Sequence, residues 1–287
     1  MTPAGGSARS ARGAGRARDL PIGVFDSGIG GLTVVRELKR LLPSEAILFF
    51  GDTARVPYGP KSPETVRRFA REDASFLARK GVKMIVVACN TVSSVAFEDL
   101  AGSVSVPLVG VVDPAARVAA SGSATGRIGV IGTRATVASG AYPRAILTLR
   151  PDARVEQAPC PLFVPLVEEG WSESAVAEEV ARAYLEPLRA QAIDTLVLGC
   201  THYPLLKRVI ARVVGEGVRL VDTAEETARD VRDLLAREGL AAERRAEDRF
   251  FVSDIPYHFA REAEAFLGEP LPRVERVDVE DLEEVGP

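Results

Sequence analysis

The chain is short of the residues that carry most familiar chemistry. Of 287 residues, three are cysteine, two histidine, two methionine and one tryptophan. Three cysteines exclude a disulfide framework, and an odd number leaves one unpaired. A reducing compartment suits such a chain, so a cytoplasmic location is expected. No apolar run reaches the roughly 18 residues of a membrane-spanning helix. A net charge of −4 gives no general affinity for nucleic acid or a membrane, and neither partner is expected. A Gly-Lys-Ser/Thr phosphate loop is missing. Gly28-x-Gly30 begins a dinucleotide pattern that fails at Thr33, where Gly or Ala is needed. A pyridoxal enzyme needs a lysine at its site. The five lysines, Lys39, Lys61, Lys80, Lys83 and Lys207, hold no convincing strand-end position.

What is present is a regular alternation from Pro21 onward. "IGVF" (22–25), "AILFFGD" (46–52), "KMIVVAC" (83–89) and "PLVGVV" (107–112) are continuous apolar runs of strand length. Helical patterns separate them, such as Val66, Phe69, Phe76 and Leu77 after Pro63. Continuous apolar strands alternating with helices predict parallel sheets covered on both faces. The chain then repeats itself. "IGVIGTRATV" (128–137) echoes "IGVFDSGIGG" (22–31), "IDTLVLGC" (193–200) echoes "VKMIVVAC" (82–89), and "VRLVDTA" (218–224) echoes "VPLVGVVDPA" (106–115). Three echoes in one order predict a duplicated α/β half.

The expected fold is α/β: two similar parallel-sheet domains related by a pseudo-twofold axis, with the site in the cleft between them. One domain takes 21–112 plus 222–270, since "RFFVSD" (249–254) and a helix near 257–267 are too little for a third domain. The other takes 113–221. Residues 1–20 read as a disordered basic extension and 271–287 as a solvated acidic tail.

Two of the three cysteines end matching strands, in "VVACNT" (86–91) and "VLGCTH" (197–202). Ligands of open α/β sheets bind outside the carboxyl ends of the strands. Two related halves facing each other would place Cys89 and Cys200 on opposite walls of one cleft. Removing a proton from one face of a carbon and returning it on the other needs two such groups. Cysteine suits the task, because a helix N-terminus lowers its pKa. Asn90, Thr91, Thr201 and His202 supply donors at the helix starts for a carboxylate. Asp26 in "DSGIGG" offers an acceptor for an amine, and Ser27 a cap or donor. Asp26, Asp52, Glu168 and His202 are candidates for setting thiol protonation. Asp52 reads equally as a helix cap, and Glu168 equally as a surface charge. "PYG" (57–59) reads first as a turn whose backbone lines the site. Cys160, between two prolines, reads as a buried structural residue, and His258 as a structural histidine. Metal binding by Cys89, Cys200 and His202 lacks an evident fourth ligand, and no metal is expected.

"IGVFDSGIGGLTV", "FFGDTARVPYGPKS", "VVACNT", "VIGTRATVASGAY", "CPLFVPLVEEG" and "LVLGCTHYPLL" together resemble the glutamate racemase family, from about residue 20 to 267. The resemblance implies cofactor-independent two-base racemisation of glutamate, supplying D-glutamate for peptidoglycan, with Cys89 and Cys200 as the bases. It implies substrate contacts at Asp26, Ser27, Tyr58, Gly59, Asn90, Thr91, Thr201 and His202. Supporting roles fall to Asp52, Glu168 and His202, and further donors to Thr133 and Thr136. The related aspartate racemases usually carry an acidic residue two positions after the second cysteine, where His202 stands. Some racemase-like proteins bind and inhibit DNA gyrase, so gyrase stays open as a partner for a second function. A homodimer stays open too.

Overall fold

The computed structural model describes residues 18–243, 246–257 and 259–283; His258 and most of the basic extension lie outside them. Among the described residues, ten strands form two sheets. They are β1 (Ile22–Asp26), β2 (Ile47–Gly51), β3 (Met84–Val87), β4 (Leu108–Gly110), β5 (Arg127–Gly132), β6 (Arg154–Pro159), β7 (Thr195–Gly199), β8 (Arg219–Asp222), β9 (Arg249–Val252) and β10 (Val274–Arg276). The first sheet runs β10-β9-β2-β1-β3-β4 and the second β6-β5-β7-β8. Every pairing is parallel.

The order 2-1-3-4 in the first sheet recurs as 6-5-7-8 in the second. The echoed stretches therefore occupy matching strands: β1 with β5, β3 with β7, β4 with β8. In each half the strand order reverses beside the first strand, and a crevice opens there at the carboxyl ends. The cysteine turns follow β3 and β7, each next to that first strand.

Local sequence explains the elements. In the helix Pro63–Lys80, Ser62 caps the N-terminus by accepting from the Thr65 amide at 3.3 Å, and Pro63 follows it. Val66, Phe69, Ala70, Ala74 and Leu77 bury one face, and Gly81, at φ 78°, ends the helix. One apolar core is continuous through both halves and includes Leu32, Val34, Phe49, Leu196, Leu198, Tyr203 and Phe266. The helix Thr223–Glu238 packs on both Leu32–Leu41 and Val112–Gly122, at the junction of the halves.

The described residues nearest each end differ from the sequence expectation. The described part of the 271–287 segment, 271–283, is not simply a solvated tail; 284–287 lie outside the described residues. Val274–Arg276 adds a strand beside β9, and Leu282 is fully buried against the apolar cluster of the first sheet. Two short apolar anchors, Val274 and Leu282, outweigh the acidic composition around them. At the other end, Arg18 is already seated. Buried Lys83 donates to the Arg18 carbonyl at 2.9 Å and to the Leu240 carbonyl at 2.9 Å while pairing with Glu45.

Candidate active site

Cys89 is the N-cap of the helix Asn90–Val95, directly after β3. The thiol is 5% exposed and lies 3.4 Å from the Ser27 hydroxyl at the end of β1. Burial, with the Asp26 charge nearby, pushes it up to about 12, against hydrogen bonds from Ser27 and the Val92 amide. Asp26 is itself 1% exposed. Its Oδ2 accepts from the Gly28 amide at 3.1 Å, while its buried Oδ1 has no hydrogen-bond partner among the described residues. Burial raises its pKa, and the His202 charge and the amides of Gly31, Gly28 and Ser27 oppose that rise.

The second cysteine sits in a different turn. Cys200 is 6% exposed, but no α-helix starts after it. Thr201 and His202 lead into a 3-10 turn, Tyr203–Leu206, and the α-helix begins only at Lys207. This corrects the expectation of a helix start at both cysteines. What Cys200 has instead is a histidine. Its sulfur lies 3.9 Å from His202 Nδ1, and His202 Nε2 lies 3.0 Å from Glu168 Oε1. Burial alone would lower the His202 pKa; hydrogen bonds and charge from Cys200 and Glu168 outweigh it and raise it to about 10. The imidazole and the Phe266 ring pack edge to face at 4.8 Å between centroids.

Hydroxyls from both halves meet beside the first cysteine. Thr91 Oγ1 is 2.9 Å from Thr133 Oγ1 and 3.5 Å from Thr136 Oγ1. The Ala135 amide donates to the Gly59 carbonyl at 3.3 Å. A cleft of about 1000 Å³ opens here, lined by Gly59, Lys61, Ser93, Asp113, Arg134 and Arg144 among others, but not by Cys89 or Cys200.

Asp52 and Tyr58 belong to a separate buried network. The Asp52 carboxylate accepts from the Tyr58 hydroxyl, from Arg55 Nε at 2.7 Å and from Ser253 Oγ at 2.8 Å. Arg55 also pairs with Glu72 and, at 3.1 Å, with Asp73. This network holds the loop that presents Gly59 to Thr133. Cys160 is fully buried, as its sequence setting suggests.

Sequence reasoning missed Thr33, Arg55, Asp73, Tyr142, Thr223 and Phe266. The Tyr142 hydroxyl donates to Asn90 Oδ1 at 2.6 Å, and Asn90 Nδ2 lies 3.5 Å from Thr223 Oγ1. Only the Tyr after a Gly-Ala step at a helix start hinted at a buried phenol needing a partner.

Duplicated parallel sheets with one cysteine turn apiece define a class of racemase, and the comparisons agree. The Asp/Glu/Hydantoin racemase family model matches residues 22–231. The chain belongs to that family. Within it, the chain is 53% identical over 261 residues to the glutamate racemase of Geobacter metallireducens, covering 90% of this chain and 97% of that one. Among solved structures it is similar to the Francisella tularensis glutamate racemase in complex with D-glutamate, with a TM-score of 0.88, 38% identity, and 93% and 100% of the two chains covered. The Thermus thermophilus glutamate racemase in complex with beta-chloro-D-alanine gives a TM-score of 0.82 at 51% identity, covering 92% and 99%.

Proposed function

We propose that this chain interconverts L- and D-glutamate by two-base proton transfer without a cofactor, in the cytoplasm, as a source of D-glutamate for peptidoglycan. The observation that carries this is the unpartnered, buried Asp26 Oδ1 beside Cys89. A carboxylate oxygen desolvated without a partner is costly, and a substrate ammonium satisfies it. The same ammonium offsets the charge that holds the Cys89 proton on, easing formation of the thiolate. Cys89 then takes the α-proton of D-glutamate and Cys200 protonates the opposite face; the reverse direction exchanges their roles. His202, held by Glu168, stabilises the Cys200 thiolate. Ser27, Asn90, Thr91, Thr133, Thr136 and Thr201 bind the substrate's polar groups, and Asp52 and Tyr58 fix the Gly59 loop. His202 in place of an acidic residue favours glutamate over aspartate. Residues 21–112 with 222–270 act as one lobe and 113–221 as the other, rocking about their two crossings.

The test uses single-cysteine variants in D₂O. Cys200→Ser should lose racemisation in both directions by at least roughly 10³-fold. It should still wash deuterium into D-glutamate through Cys89 and leave L-glutamate unlabelled. Cys89→Ser should label L-glutamate instead. Near-normal racemisation by both variants would sink the two-thiol mechanism.

A further inference from the structure

The two turns that carry the thiols are each held from the opposite half. Thr33 opens the helix Leu32–Leu41 of the first half and is fully buried. Its Oγ1 lies 3.1 Å from the carbonyl of Thr201, the residue after Cys200. Tyr142 lies in the helix Ala141–Leu149 of the second half and is also fully buried. Its hydroxyl donates at 2.6 Å to the side chain of Asn90, the residue after Cys89. Its ring faces its own half's Gly199, where an added Cβ would sit 3.2 Å from Cε2. The phenol thus spans from one cysteine turn to the other.

Thr33 has two acceptors for one proton. The Gly30 carbonyl in its own half lies at 2.9 Å and the Thr201 carbonyl of the other half at 3.1 Å. If the halves part, the hydroxyl turns to Gly30 and loses little. Among the described residues Tyr142 has no such alternative, since Asn90 Oδ1 is the acceptor it reaches. Opening therefore leaves the phenol without its bond.

We propose that Thr33 and Tyr142 are reciprocal positioning residues, each fixing the turn beside the other half's thiol, so that both thiols are aligned only while the cleft is closed. Neither hydroxyl touches a sulfur; each acts through the residue that follows the cysteine. The catalytic consequence rests on the two thiols being the reacting groups. The positional claim does not, and can be read without turnover.

Iodoacetamide labelling of the full-length protein, followed peptide by peptide by mass spectrometry, makes that reading. Tyr142→Phe keeps the ring on Gly199 and removes only the bond to Asn90. It should speed alkylation of Cys89 about tenfold more than that of Cys200. Thr33→Val should do the reverse, and Thr33→Ser, which keeps the hydroxyl, should restore the Cys200 rate to within about twofold of the parent. Fully buried Cys160 is the internal reference. Equal acceleration of Cys89 and Cys200 in either variant overturns the proposal. So does acceleration of Cys160 in step with them, because the whole fold has then loosened. A crossed pattern in a protein that fails to racemise glutamate would leave the latches standing and remove the proposed reaction.

Discussion

His202 is the residue whose chemistry depends most on where it is put. It is buried, yet Cys200 and Glu168 raise its pKa from 6.5 to about 10. The folded state therefore holds this proton more tightly than the unfolded chain does. The stabilisation is complete below about pH 6.5 and is lost as pH rises through about 10. His202→Asn should remove that part of the pH dependence. Urea unfolding of parent and variant at about pH 6 and about pH 9.5 checks it, with the parent losing more stability across the interval. Parallel losses in both proteins would mean that the imidazole is not the group responsible. The same residue shows why the two cysteines are not equivalent. Cys89 has a helix N-terminus and a carboxylate beside it, whereas Cys200 has a cation.

At the scale of elements, the loop after β2 is set by charges that never reach the thiols. Arg55 has a 10% exposed side chain and bridges Asp52 and Asp73, both wholly buried. Asp73 is pushed well above the usual carboxylate range, first by burial and then by Asp52. Arg55→Met should destabilise the protein by about 3 kcal/mol, since it leaves two neighbouring buried acids without their cation. A denaturant midpoint within error of the parent would refute this. How much could be read from the sequence follows from the same contrast. The strands with continuous apolar runs, the duplicated order and the cysteine turns were legible, because each is a local pattern repeated within the chain. The Asp52–Arg55–Asp73 network was not, because a strand-end aspartate looks the same whether it caps, catalyses or pairs. Val274–Arg276 and Leu282 were hidden by acidic neighbours, with too few apolar residues to show a period. Thr33, Tyr142 and Phe266 work through partners more than fifty residues away in the chain, and no spacing rule joins such positions.

For the molecule as a whole, closure is a contact between backbone and turn, and Gly30 is where it is tightest. A Cβ built there would sit 2.3 Å from Thr201 Oγ1 and 2.6 Å from the His202 ring. Gly30 is not among the glycines in the left-handed region, so alanine is compatible with its backbone and the obstruction lies only across the cleft. Something must shift, and every shift that relieves the clash moves the turn that carries Cys200 or the His202 side chain beside it. A displacement near 1 Å at reacting atoms costs roughly 10²-fold in rate. Gly30→Ala should therefore lose about that factor in turnover of glutamate while unfolding at nearly the parental denaturant concentration. Its Cys200 should also alkylate faster, because the same wedge breaks the Thr33–Thr201 bond. A variant with parental turnover would mean that the halves need not meet at Gly30 for proton transfer. One that unfolds early would mean that the contact serves the fold rather than the alignment of the thiols.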